Sequence, residues 1–91
     1  MTADSSLSFE AELRTAPEAA FWTVFDVPDS ATFFGTRQPV RVCGVVDDVP
    51  VEITLMPTKN GHVGPVKATT RKALGKQAGD RVRVSIEAVR A

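Results

Sequence analysis

The sequence predicts a mainly β fold, a small closed or nearly closed β-barrel of about six strands with two short helical turns. Three observations carry this. Apolar and polar side chains alternate with a two-residue period in several short segments, most cleanly in 81–88, where Val82, Val84, Ile86 and Ala88 share a face. Turn residues separate these segments at short intervals. With 91 residues the chain has room for one domain with a thin core, and closing its sheet removes edges that would otherwise invite aggregation.

Taken in order, residues 1–7 read as a disordered N-terminal arm and 8–91 as a single barrel domain. Ser8-Phe9-Glu10-Ala11-Glu12-Leu13-Arg14 alternates strictly, with Phe9, Ala11 and Leu13 on one face. Ala16-Pro17-Glu18 turns the chain into 21–27, whose apolar side chains point both ways, so that strand is covered on both sides or shows an aromatic outside. Pro28 to Gly35 reads as a helical turn or two, capped by Asp29 or Ser30, ended by Gly35 and held by Phe33 or Phe34. Around Asp47-Asp48, a two-residue loop pairs Val46 with Val49, Gly44 with Val51, Val42 with Ile53 and Val40 with Leu55, all on one face. The other face then sets Arg41 beside Thr54 and Cys43 beside Glu52. Two aspartates make a weaker turn than Asn-Gly, and a longer loop is the fallback. After the turn at 58–61, His62 to Val66 reads as a short strand that Pro65 makes an edge or an irregular one. Thr69 to Gly75 is a short helix with a threonine cap and a glycine stop.

Eleven basic and eleven acidic residues cancel, which argues against nucleic acid or an anionic membrane as the main partner. The apolar runs are too short to span a bilayer and the N-terminus lacks the pattern of a signal peptide. Cys43 is the only cysteine, so no internal disulfide forms and a cytoplasmic location is expected.

Trp22 leading to Pro28, Arg41-Val42 with Gly44, the loop after Leu55 with Gly61, and the tail Arg71-Lys72-Ala73-Leu74-Gly75 with Gly79-Asp80-Arg81-Val82 form a spaced set. Through them the span from Phe9 to Val89 resembles the bacterial family called domain of unknown function 1905. The resemblance implies a small β-barrel without assigned activity, sometimes fused to a helical domain. One departure is the hairpin after Val46, which usually carries a glycine. The tail alone is also similar to cradle-loop barrels, including swapped-hairpin transcription factors of the AbrB type. In the residue-level reading the tail is scaffold: Gly79 supplies positive φ and the Asp80 carboxylate accepts amides from a crossing turn. Gly35, Gly44 and Gly75 are likewise assigned to structure.

No catalytic constellation stands out. His62, Lys67 and Arg71 at a barrel mouth would hold a small anion or carboxylate, although a solvent-exposed histidine beside a turn is the favoured reading of His62. Trp22 belongs either to a ligand mouth or interface, or to a core or half-covered barrel position. Cys43 with His62 fails as a nucleophile and base because Cys43 sits mid-strand, and Ser30, Ser85 and the threonines have no arranged base. One histidine without ligand spacing to Cys43 argues against a metal, no cofactor is called for, and Asp47-Asp48 reads as a solvated turn. Arg81 and Arg83 with Arg71 and Lys72 make a positive patch, which Glu87 and the lack of interleaved aromatics turn into ordinary solvated surface. The expected function is therefore a non-enzymatic module for an unknown small ligand or protein partner. The alternatives are an AbrB-like nucleic-acid-binding barrel, and an enzyme in which His62, Arg71 and Trp22 converge on one cavity. The irregular strand at Pro65 leaves a homodimer open.

Overall fold

The computed structural model describes residues 6–17, 20, 22–59 and 61–89. Its elements are β1 (Ser6–Glu12), β2 (Arg14–Ala16), β3 (Trp22–Val27), α1 (Ser30–Phe34), β4 (Val40–Val46), β5 (Val49–Thr58), β6 (Gly61–Pro65), α2 (Ala68–Leu74) and β7 (Arg81–Ala88). The seven strands form one sheet in the order β1-β7-β4-β5-β6-β3-β2, and every pairing is antiparallel. The two outermost strands of that order, β1 and β2, follow one another in the chain with only Leu13 between them. The sheet therefore curls into a nearly closed barrel around one bent strand.

A second bend lies opposite. β5 pairs with β4 through Val49 to Leu55 and with β6 through Met56 to Thr58, so it too passes from one half of the barrel to the other. The enclosed core contains Leu13, Phe25, Val42, Val46, Leu55, Val84 and Ile86, each nearly inaccessible. Burial of each such side chain contributes about 1.5–3 kcal/mol. Val24, Val63 and Ala16 form a smaller buried cluster, so β3 is apolar on both faces.

The β4–β5 register is the one the alternation predicts, from Val46↔Val49 to Val40↔Leu55. The tight two-residue loop holds: Asp47 (φ 48°) and Asp48 (φ 75°) both take the left-handed conformation such a turn needs. The strain at Asp47 is offset by its own bonds. Its N–H donates to the Arg83 carbonyl at 2.8 Å, Oδ1 accepts the Arg83 N–H at 2.8 Å, and Oδ2 accepts Lys76 Nζ at 2.5 Å. A glycine there would have the conformation without the anchor. The Lys76 hydrogen bond, and next the Arg83 amide, hold the Asp47 carboxyl below the ordinary aspartate value.

Two glycines admit close approaches. A Cβ on Gly44 would lie 1.9 Å from the Ser85 carbonyl oxygen, and one on Gly64 would lie 2.3 Å from Phe25 Cζ. Gly64 pairs with Phe25, whose ring fills the space a side chain would take. Gly35 and Gly75 end the two helices with φ of 71° and 69°.

Several expectations are corrected. β1 begins at Ser6, which pairs with Glu87, so the predicted arm 1–7 loses its last two residues and the rest of it lies outside the described residues. β6 is no edge: it runs between β5 and β3, and Pro65, its last residue, is where pairing stops. The strand count is seven because Arg14 to Ala16, read as the end of one strand and a turn, pair with β3 as β2. Neither helix has a side-chain cap: Lys67 precedes α2, and Asp29 precedes α1 in a left-handed conformation. The Asp80 carboxylate accepts the nearby Gln77 N–H at 3.0 Å, whereas the crossing segment is bound by backbone, Gly79 N–H to Leu13 O and Leu13 N–H to Asp80 O, both 2.8 Å. Phe21 and Glu18 lie outside the described residues.

Gly64→Ala is expected to destabilise the barrel by about 1–3 kcal/mol through overpacking, a fall in Tm of roughly 4–8 °C per kcal/mol. Phe25→Leu in the same chain recovers part of that loss in urea denaturation, whereas independent sites would add. The lowered Asp47 carboxyl contributes stability that is complete above the unfolded aspartate value of about 3.9 and is lost as pH falls through the lower folded value. Urea midpoints of the native chain therefore fall more steeply below about pH 4 than those of Asp47→Asn, which cannot titrate.

Candidate functional site

The barrel rim where β3 begins and β6 ends carries a cleft of about 410 Å³ lined by Trp22, Pro65, Val66, Lys67, Ala68 and Arg71. Each wall has a local cause. Trp22 pairs with Ala16 and stands on the outer side of β3 with 60% of its surface exposed. Its neighbour Thr23 points the other way and is buried. The chain leaving β6 is tied down by the Val66 N–H, which donates to the Thr23 carbonyl at 2.9 Å. Lys67 is extended (φ −66°, ψ 157°), and α2 then brings Arg71 back over the rim, where Nη1 donates to Thr23 Oγ1 at 3.0 Å. Arg71 Nε is buried and has no hydrogen-bond partner among the described residues. A buried donor left unmet costs about 1–3 kcal/mol.

Three of the four ligand candidates read from the sequence, Trp22, Lys67 and Arg71, thus meet in one cleft. Trp22 is 60% exposed, which rules out a core position. His62 is not with them. It sits near the opposite end of β6, only 2% exposed, away from Lys67 and Arg71, and it is not the solvent-exposed histidine expected. The Gln38 carbonyl lies 2.8 Å from Nε2 and can only accept, so Nε2 carries a hydrogen; in the neutral ring Nδ1 then accepts the Ser30 hydroxyl at 2.7 Å. Ser30 therefore does have a histidine arranged beside it, contrary to expectation, but its side chain is fully buried. Gly61 makes room for it, since a Cβ there would lie 2.7 Å from Ser30 Oγ. The trio fastens α1 and the loop after it to β6. His62, Arg71 and Trp22 do not converge, as the enzyme alternative required.

A larger cleft, about 700 Å³, lies where β1 and β3 face each other, lined among others by Glu10, Glu12, Arg14, Asp26 and His62. Three of its charged residues, Glu10, Arg14 and Asp26, are engaged in ion pairs. Arg14 grips Asp26 with Nε–Oδ2 at 2.7 Å and Nη2–Oδ1 at 2.9 Å, and Glu10 meets Arg83 and Arg81 at 3.2 and 3.6 Å. The Arg83 hydrogen bond, with the charges of Arg83 and Arg81, holds the Glu10 carboxyl below its ordinary value. These ion pairs also break up the basic patch of Arg81, Arg83, Arg71 and Lys72. Cys43 is mid-strand in β4, opposite Glu52 and Glu87. Among the described residues no three His, Cys, Asp or Glu side chains gather where they could hold a metal ion, and no helix is long and apolar enough to cross a membrane.

The site residues that sequence reasoning missed are Thr23, Pro65, Val66 and Ala68. Thr23 left one faint signal, as a polar residue on the inward face of a strand whose other inward residues are Phe25 and Val27.

Fold and cleft together define a small antiparallel β-barrel whose rim presents two cations and an indole beside apolar walls. The chain belongs to the family described as Domain of unknown function (DUF1905), which it matches over residues 9–86. No curated protein matches it.

Ser30→Ala leaves His62 Nδ1 without its donor and is expected to cost about 1–3 kcal/mol in urea denaturation. An unchanged urea midpoint would show that the Ser30–His62 bond carries no structural load.

Proposed function

We propose that this barrel is a non-enzymatic binding module that holds a small anionic ligand in the rim cleft of Trp22, Lys67 and Arg71. The observation that carries this reading is the meeting of two cations, Arg71 and Lys67, with the exposed Trp22 on one cleft, Arg71 being fixed by Thr23. Among the described residues that line the cleft none is a carboxylate. A cation pair without internal counter-charge, beside apolar walls of low dielectric, favours an anion from solution. Nucleic-acid binding has less support, because Glu10 engages Arg81 and Arg83. Cytoplasmic residence belongs to the same proposal, supported by Cys43 as the only cysteine.

A thermal-shift screen at low ionic strength over organic carboxylates, phosphates and sulfates tests the reading. A ligand at a hundred times its Kd adds about 2.7 kcal/mol, which raises Tm by on the order of 10 °C or more for a domain of this size. The shift is expected to vanish in Lys67→Ala/Arg71→Ala. A wild-type chain that no anion stabilises would sink the proposal.

A further inference from the structure

Resting on that anion-site reading, we propose that the ligand is a nucleoside polyphosphate, its base laid against Trp22 and its phosphate chain running along α2 past Lys67 and Arg71 to Lys72.

A second cleft decides the length of the anion. It has a volume of about 310 Å³, and Ala68 and Arg71 line both it and the rim cleft. Ala68, Arg71, Lys72 and Gly75, all on its lining, recur at the spacing of one helical face, so the second cleft continues the first along α2. Three cations follow one another on this track, Lys67, Arg71 and Lys72. None of the three takes part in an ion pair among the described residues. Lys76, farther along, is already tied to Asp47 and to the Arg81 carbonyl at 2.7 Å. Asp80, a carboxylate on the lining of the second cleft, accepts the Gln77 N–H at 3.0 Å. The charge of Arg71 is spread over its whole guanidinium, and Coulomb attraction depends on its position, which the Thr23 bond fixes. A single carboxylate or phosphate in the rim cleft meets two cations. Engaging Lys72 as well takes a chain of linked anionic groups.

The body is decided at the rim. Trp22 is the aromatic residue on the lining, largely exposed, with Pro65, Val66 and Ala68 as its apolar neighbours there. A planar heteroaromatic ring laid on an indole buries apolar area on both partners and gains stacking, about 1–3 kcal/mol for a nucleobase. The rim cleft of about 410 Å³ has room for a base and its sugar. An aromatic platform at one end and successive cations leading away from it match a molecule with a flat head and a polyanionic tail.

Trp22 is the only tryptophan and the chain has no tyrosine, so intrinsic fluorescence reports from the cleft itself. The full chain is titrated at low salt, without divalent cations, with ATP, AMP, adenosine and inorganic triphosphate, and binding is followed by Trp22 emission and by calorimetry. ATP is expected to bind saturably. AMP, which lacks the distal charges, adenosine, which lacks all of them, and triphosphate, which lacks the base, are each expected to bind at least about tenfold more weakly. Lys72 is exposed, so Lys72→Ala is expected to fold, to weaken ATP severalfold and to leave AMP unchanged. AMP or triphosphate binding as tightly as ATP, or unchanged ATP affinity in Lys72→Ala, overturns this proposal and leaves the anion site of the rim cleft standing. A short single-stranded oligonucleotide that binds more tightly than ATP also overturns it, in favour of nucleic acid. If neither emission, heat nor Tm responds to any anion, the anion site falls with it.

Discussion

Leu13 is the residue at which one strand becomes two, and the barrel depends on how that bend is held. Its N–H donates to the Asp80 carbonyl and its carbonyl accepts the Gly79 N–H, each at 2.8 Å. Its side chain is fully buried in the main core. A strand that leaves one pairing partner for another exposes backbone groups at the bend unless something else meets them. Here the tight turn before β7 meets them, with Gly79 at φ 100°, a conformation that side-chain-bearing residues rarely adopt. β1 can then pair with β7 while β2 pairs with β3, so the two ends of the sheet order are consecutive in the chain. Loss of that bond pair would leave two open edges on a thin domain.

Closure also determines what each end of the barrel carries. β6 is the shared support: Gly61 and His62 lie at one end, Pro65 and the exit toward α2 at the other. At the first end polar groups turn inward and satisfy one another, through Ser30, His62 and the Gln38 carbonyl. Phe34 covers them, edge-on to the His62 ring at 6.2 Å between centroids. At the other end, Thr23 holds one nitrogen of Arg71, a residue that lines the cleft. The same chemistry, a hydroxyl beside a nitrogen base or cation, makes a closed fastening in one place and part of an open cleft wall in the other. What differs is whether every donor finds an acceptor within the fold.

How much of this was legible in the sequence follows from the range of the interactions. The β4–β5 register was readable because only one pairing buries Val40, Val42, Val46, Ile53 and Leu55 on one side, a constraint local to a hairpin. The belonging of Gly79 and Asp80 to the scaffold was readable too, but not their partner, since Leu13 is remote in sequence. His62 was misread for the same reason. A lone histidine after a glycine turn looks exposed until Ser30 and Gln38, 32 and 24 residues away, are brought to its two nitrogens. Pro65 suggested an edge because proline lacks an N–H, yet it ends β6, where the missing donor interrupts nothing. Trp22, Lys67 and Arg71 were grouped from the sequence only together with His62, which the fold places elsewhere. The orphaned Nε of Arg71 was not legible, because burial of a single atom is a product of packing.

The balance of charge gives the cleft its character. With eleven acids and eleven bases, neutrality could have meant that every cation has a carboxylate beside it. The fold distributes them otherwise. Asp47 engages Lys76, Glu10 engages Arg81 and Arg83, Asp26 engages Arg14, and Glu52 engages Arg41. Those carboxylates are drawn to strands and hairpin, where they fasten register and the turn at Asp47, and none of them lines the rim cleft. Exposed ion pairs of this kind contribute little stability each, about 0–1 kcal/mol. Their larger consequence is spatial, since a carboxylate held on the sheet cannot neutralise a guanidinium at the rim. Among its described lining residues the rim cleft thereby stays cationic, with one guanidinium held by Thr23, one ammonium and one exposed indole on apolar walls.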